Sequence, residues 1–374
     1  MIYLDHAATT PLDPRVIEEM LPYLTDVWGN ASSPHAKGRE ARSAIDESRQ
    51  VLADLIGVKP HEVVFTASGS EANSLAMRGR AEKWMQIHDK PGHIITASVE
   101  HSCTLKMGDK LETQGWTITK LGVDENGRVN PEDLKSALTD DTTLVTLQWA
   151  NNEVGTIQPV EDLADICKEA GVPFHCDAVQ GIGVIPLPQK PFDMMTIAAH
   201  KFYGPKGIGA LIVREGIELS AQVMGGGQEF GLRAGTEDAP SIMGMAKALE
   251  LAFDGLEEHS TSIKTLRNTF VDEVLDTIPC ASLNGSLENR LPNNVNLRFE
   301  GHDAETVVIK LDLEGICVSS GAACVTGTTE PSHVLQAMGQ DRQAAKENVR
   351  ITLGKDTTKE ELKTVLEALK GIVG

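Results

Sequence analysis

The chain has 374 residues, and its 54 acidic against 34 basic side chains give a formal net charge of −20. At 41% hydrophobic and 24% charged residues it falls in the ordinary globular range, which excludes disorder as the default. The acidic balance argues against a nucleic-acid-binding or anionic-membrane surface, and the length argues for more than one core.

The start, MIYLDHAATTPLDPR, has acids and prolines where a secretory leader needs a basic start and an apolar run. No stretch approaches the roughly 18 apolar residues of a membrane span, so a cytoplasmic location is expected. Six scattered cysteines (103, 167, 176, 280, 317 and 324) contain no C-x-x-C pair. In a reducing compartment they are expected as thiols, with no Cys/His set at metal-ligand spacing.

In chain order, residues 40–56 carry apolar side chains at helical spacing and stop at Gly57. EVVFTAS is predicted as a strand, SEANSLAMRGRAEKWMQIH as a helix, HIITAS as a strand and LKMGDKLETQG as a helix. TTLVTLQWA, VPFHCDAV, DMMTIAAH and GALIVR are predicted strands, with the helix VEDLADICKEAG ending at Gly171 between the first two. Short apolar strands interleaved with helices predict an α/β fold, a mainly parallel sheet with helices on both faces. A long helix is predicted from about Ala239 to Phe253. The remainder alternates irregularly and fits a smaller α+β domain. The expected division is a large domain over 15–255 and a small one formed by 1–14 and 256–374.

Ligands in such sheets bind beyond the carboxyl ends of the strands. Ser68–Ser70, His101, 151–153, 177–180 and His200–Lys201 each follow a predicted strand directly. Lys201, in AAHKFYGPKGIGAL, is placed where burial depresses an amine's pKa and makes it nucleophilic, although an isolated lysine there usually caps a strand at the surface. Asp177 at an earlier strand end can face a protonated ring nitrogen; alone, it reads equally as a turn or capping aspartate. Ser68, Gly69 and Ser70 sit at a strand-to-helix turn that can cradle phosphate, and Ser68 with Glu71 also reads as a capping box. His101 can stack on a flat ring and move protons. Arg350, in NVRITLG, can fork onto a carboxylate. Cys324, in SSGAACVTGTTEP, is the thiol of a small, polar, glycine-containing loop.

Taken together, YLDHAATTP, GNASSPHAKG, VEHSC, NNEVGT, HCDAVQ, AAHKFYGPKGIGAL, RAGTED, SSGAACVTGTTEPSHVL and NVRITLG closely resemble the cysteine desulfurases of the NifS/IscS class. These lie in the class-V aminotransferase group of fold-type I enzymes that use pyridoxal 5'-phosphate (PLP). The resemblance implies a seven-stranded large-domain sheet, with Lys201 as the Schiff-base lysine and Asp177 as partner of the pyridine nitrogen. It implies that His101 stacks on the ring and that Asn152 and Gln180 hydrogen-bond near its phenolic oxygen. Gly69, Ser70 and His200 match phosphate-binding positions, and Thr236 matches a threonine reaching the phosphate from the neighbouring subunit of a homodimer. Arg350 matches the arginine that holds the substrate carboxylate, and Cys324 the nucleophile that takes sulfur from L-cysteine as a persulfide. The long Cys324 loop suits sulfur delivery to an acceptor or iron–sulfur scaffold protein.

The family usually has a serine where this chain has Ala198, which implies one phosphate hydrogen bond fewer. Three other readings compete: a selenocysteine lyase, another class-V aminotransferase, and a non-catalytic scaffold that keeps the fold. The last predicts loss of Lys201, Asp177 or Cys324, and all three are present.

Overall fold

The computed structural model describes residues 1–190, 192–320 and 331–374. A short strand β1 (Ile2–Tyr3) precedes helices α1 (Pro14–Thr25) and α2 (Ala36–Ile56). Helix α1 starts where Asp13 caps the Arg15 N–H and Pro14 presets the first turn; α2 stops where Gly57 turns left-handed at φ 76°.

Alternation then begins with β2 (Val63–Thr66), α3 (Gly69–His88), β3 (His93–Ala97) and α4 (Ser102–Glu112). It continues through β4 (Thr117–Leu121), α5 (Pro131–Ala137), β5 (Thr142–Gln148) and α6 (Val160–Ala170). Strands β6 (Phe174–Asp177), β7 (Met194–Ala198) and β8 (Gly209–Val213) follow, then α7 (Ala239–Phe253).

These strands form a seven-stranded sheet in the order β2-β8-β7-β6-β5-β3-β4. Every pairing is parallel except those of β8, which runs antiparallel to both neighbours. Every residue of β5 (TTLVTLQ) is buried, its threonines and Gln148 included, as a strand covered by helices on both faces requires. One face carries Val16, Ile45, Leu163 and Ile242 from α1, α2, α6 and α7; the other carries Leu75 of α3 and Leu111 of α4. Strand β4 escapes an apolar-run criterion because it is the sheet edge: Thr117 and Lys120 face solvent and only Leu121 is buried.

The rest of the chain supplies α8 (Leu256–Thr277), β9 (Ala281–Leu283), β10 (Asn294–Phe299), α9 (Ala304–Leu313) and β11 (Ile316–Cys317). It closes with α10 (His333–Ala337), β12 (Asn348–Thr352) and α11 (Lys359–Val373). Strands β12-β10-β9 form an antiparallel sheet, and Leu297 and Ile351 on it pack with Phe270, Val307 and Leu366 of the helices into a separate core. Strand β1 pairs in parallel with β11, and Asp5 bridges to Thr352, so the first residues of the chain lie against its last third.

A buried ion pair fixes one flank of the large sheet. Arg49 of α2 forks onto Glu229, with both nitrogen–oxygen distances 2.7 Å, and the Phe65 N–H of β2 donates to the same carboxylate at 2.8 Å. Both side chains are buried. Glu229→Ala leaves the guanidinium without its charge partner, so a stability loss of about 3–5 kcal/mol is expected in equilibrium urea unfolding. A loss below about 1 kcal/mol would mean that the pair is not what holds this flank.

Candidate active site

The carboxyl ends of the strands open onto a cleft of about 690 Å³. Among the predicted residues, Gly69, Ser70, His101, Asn152, Asp177, Gln180, His200, Lys201 and Arg350 all line it. This convergence follows from strand order: β7, β6, β5 and β3 are consecutive neighbours, so the residues just past their ends share one rim.

Lys201 ends the short turn that follows β7. Its Nζ donates to the carbonyls of Ala7 and Ala8, the latter at 2.9 Å, so the N-terminal segment covers it. Burial, with the nearby Arg350 charge adding to it, lowers the amine's pKa to about 8; Asp5 and Asp177 oppose the shift. His200 beside it is lowered to about 4 by burial and the neighbouring lysines 201 and 206, and its Nδ1 lies 3.2 Å from Thr9 Oγ1.

Asp177 is the last residue of β6 and is buried. Its Oδ2 accepts from Asn73 Nδ2 at 2.6 Å and its Oδ1 from the Val179 N–H at 3.1 Å. Gln180, one turn on, donates to the Ala7 carbonyl at 3.0 Å.

Helix α3 begins at the cleft. Ser68 caps it by accepting from the Glu71 N–H at 3.1 Å, and the N–H groups of its first turn have no intrahelical acceptor. A Cβ added at Gly69 would stand 3.0 Å from Val179 Cγ2 and 3.4 Å from Ala198 Cβ. The missing side chain thus lets the helix start approach the ends of β6 and β7.

Arg350 is buried on β12 and reaches across from the smaller sheet. Its Nη2 pairs with Asp5 at 2.7 Å and its Nη1 donates to the Asn152 carbonyl at 2.8 Å. Its Nε, buried as well, has no partner among the described residues. The sequence identifies the arginine but not Asp5, because the two are 345 positions apart.

Two buried acids lie beside the cleft. Glu153 accepts from the Ser332 hydroxyl, and burial raises its pKa. Glu100 accepts from the Gln148 N–H at 2.9 Å and is raised well above the carboxylate range by burial. Asn73 and Cys103 also line the cleft and were not singled out as candidates from the sequence. The available signal for Asn73 was its place one helical turn beyond Gly69, on the same face.

One predicted residue is not in this assembly. Thr236 is exposed and lines a different pocket, with Phe65 and Arg233. Cys324 lies outside the described residues. Of the other cysteines, all five described ones are free thiols. Burial raises Cys176 well above the ordinary range and Cys167 to about 12, so neither is poised as a nucleophile. Among the described residues no group of His, Cys, Asp and Glu is arranged to hold a metal ion, and no helix is long and apolar enough to cross a membrane.

Residues 2–365 match the family model for class-V aminotransferases. A cysteine desulfurase IscS of Dictyoglomus turgidum is 46% identical over 374 residues, covering 100% of this chain and 94% of that one. A solved NifS-like protein superposes with a TM-score of 0.93 at 36% identity, over 99% of this chain and 98% of its own. The structure of SspA in complex with cysteine superposes with a TM-score of 0.83 at 34% identity, over 96% of this chain and 100% of its own. With agreement over the whole length in sequence and in fold, the chain belongs to the class-V aminotransferase family and, within it, to the cysteine desulfurases.

Proposed function

We propose that this cleft holds pyridoxal 5'-phosphate and converts L-cysteine to L-alanine, with the sulfur passing to the Cys324 thiol as a persulfide. The observation that carries the reading is the meeting, in one cleft, of a lysine amine depressed to about 8, a buried aspartate and the start of a 20-residue helix.

The residues fit the cofactor. Lys201 would bond its aldehyde carbon, Asp177 would face the ring nitrogen, and the first turn of α3 with Ser70 and His200 would take the phosphate. His101 would lie on the ring, with Asn152 and Gln180 near its phenolic oxygen. When bound, the cofactor supplies an electron sink for bond breaking next to the amino group.

The chain's own groups do the rest. Lys201, whose amine lies in the cleft, would serve as the base for the substrate α-proton. Arg350 receives the carboxylate with donors that Asp5 and the Asn152 carbonyl keep in place. The Cys324 sulfur then bonds to the substrate sulfur as the carbon–sulfur bond breaks. L-cysteine and one thiol become L-alanine and one persulfide, and no outside oxidant is needed.

An arginine fixed by two partners is not replaceable by a flexible lysine. Arg350→Lys is expected to raise KM for L-cysteine by about 10- to 100-fold and to change kcat less. An unchanged KM would place the carboxylate elsewhere.

The depressed amine gives a second expectation. Capture of the cofactor needs neutral Lys201, so in cofactor-free protein its rate is expected to rise with pH through about 8. An ordinary lysine would carry that rise to about 10.4. Stopped-flow absorbance of PLP capture against pH checks it, and a rise centred above 10 would contradict a buried amine.

A homodimer is part of this reading. Thr236 is exposed in the single chain, and the same stretch exposes Met224 at 78% and Phe230 at 57%, an apolar surface that a second copy would cover. A cytoplasmic location, sulfur delivery to an iron–sulfur scaffold or other acceptor protein, and a division into 15–255 against 1–14 with 256–374 complete the proposal. The test of function is alanine formation from L-cysteine by the PLP-loaded protein without an oxo-acid. A requirement for an oxo-acid acceptor would make it an aminotransferase, and no product from L-cysteine would end the desulfurase reading.

A further inference from the structure

We propose that Cys103 is a positioning residue: a hydrogen-bond chain from Asp177 through Asn73 and the Cys103 thiol holds His101 as the neutral tautomer with its proton on Nε2. The inference deepens the proposed reaction and rests on that reading for its catalytic consequence.

Each direction in the chain is fixed by chemistry. Asn73 Nδ2 stands 2.6 Å from Asp177 Oδ2 and 3.2 Å from Cys103 Sγ. A carboxylate can only accept, so the amide nitrogen faces Asp177, and its second hydrogen is available to the sulfur. His101 is the cap residue of α4, and the Cys103 backbone N–H donates to its Nδ1 at 3.2 Å. A backbone N–H cannot accept, so Nδ1 carries a lone pair. Cys103 Sγ lies 3.0 Å from the same Nδ1, so in that hydrogen bond the thiol is the donor and shares the lone pair with the N–H; Thr104 Oγ1, at 4.0 Å, is the thiol's longer partner.

The surroundings favour these protonation states. Burial raises the Cys103 thiol, with the Asp177 charge adding to the effect; hydrogen bonds from Asn73, Ser70 and Thr104 oppose the rise without reversing it, so the S–H is retained. Burial lowers His101, and the Lys201 charge acts in the same direction, while Asp177 and Glu153 oppose it. Glu100, the preceding residue, faces Cys103 and Asp177 with its own pKa raised well above the carboxylate range. Asn73 is buried, lines the cleft and keeps Oδ1 without a partner among the described residues, an acceptor left for what binds there.

With Nδ1 committed to the start of α4, only Nε2 serves the cleft, and it begins protonated. His101 therefore enters the reaction as a hydrogen-bond donor through Nε2. Proton removal falls to Lys201. The two groups that flank the cofactor in the proposed function, Asp177 and His101, are thereby linked from behind by three hydrogen bonds.

Nitrogen NMR of PLP-loaded, 15N-histidine-labelled protein tests this, with the His101 signals identified by their loss in His101→Gln. The expected result is an unprotonated Nδ1, a protonated Nε2 and a titration midpoint below the ordinary 6.5. Removing the thiol donor makes protonation of Nδ1 easier. Cys103→Ala is thus expected to raise the His101 midpoint and to lower kcat/KM about 5- to 10-fold. Cys103→Ser, whose hydroxyl can accept from Asn73 and donate to Nδ1, is expected to recover most of that loss and serves as the control for folding. A protonated Nδ1 in the native protein overturns the proposal. So does a Cys103→Ala protein whose His101 midpoint matches the native one. If the native protein forms no alanine, the functional reading falls, while the nitrogen spectrum still decides the tautomer.

Discussion

Lys201→Ala is expected to lose turnover of L-cysteine by on the order of ten-thousand-fold or more, and to lose covalent capture of the cofactor with it. The amine has two tasks in the proposed chemistry, bonding the cofactor and moving the α-proton, and among the described residues no other lysine is held at the end of β7 for either. Lys106 also lines the cleft, but it belongs to α4, whereas Lys201 ends the turn after β7 under the carbonyls of Ala7 and Ala8. Absorbance of the reconstituted protein separates the tasks: the mutant is expected to hold PLP only reversibly, and borohydride is expected to fix it in the native protein on the Lys201 peptide. Borohydride labelling at another lysine would remove the residue on which the site is built.

The second large effect is expected at Cys324. Cys324→Ala is expected to reduce alanine formation by about a thousand-fold while leaving cofactor capture intact, because the thiol acts only after the substrate is bound. Its loss is not covered by another thiol. Cys167 and Cys176 are buried with their protons held, and Cys280 and Cys317 belong to the β9 and β11 region rather than to the cleft. Cys103 is in the cleft, but its proton is committed to His101. Retained alanine formation in the mutant would mean that sulfur leaves without a protein persulfide, the behaviour of a selenocysteine lyase.

The site was legible in sequence to the degree that the sheet is parallel. In β3, β5, β6 and β7 a run of apolar and β-branched residues marks the strand, and polar residues at its end or just past it fall on the same rim, so sequence alone gathers His101, Asn152, Asp177 and Lys201. What pairing contributes across long separations was not legible. Asp5 meets Arg350 only because β1 and the residues after it lie against β11 and β12, and nothing local to either segment signals that contact. Asn73 and Cys103 escaped for a related reason. Asn73 sits inside a helix that reads as ordinary and Cys103 just ahead of one, and only the meeting of α3, α4 and β6 brings them onto Asp177 and His101. The edge strand β4 escaped because exposure on its outer side breaks the apolar run by which the other strands announce themselves. Cys324 was named from loop chemistry alone, and it lies outside the described residues.

The most direct test of the account is a single turnover of PLP-loaded protein with sulfur-labelled L-cysteine, followed by alanine quantitation and peptide mapping under non-reducing conditions. The expected result is alanine in equal amount to label, with the label on the Cys324 peptide and released by a small thiol. Alanine with the label found only as free sulfide, or label on Cys103 and none on Cys324, would contradict it.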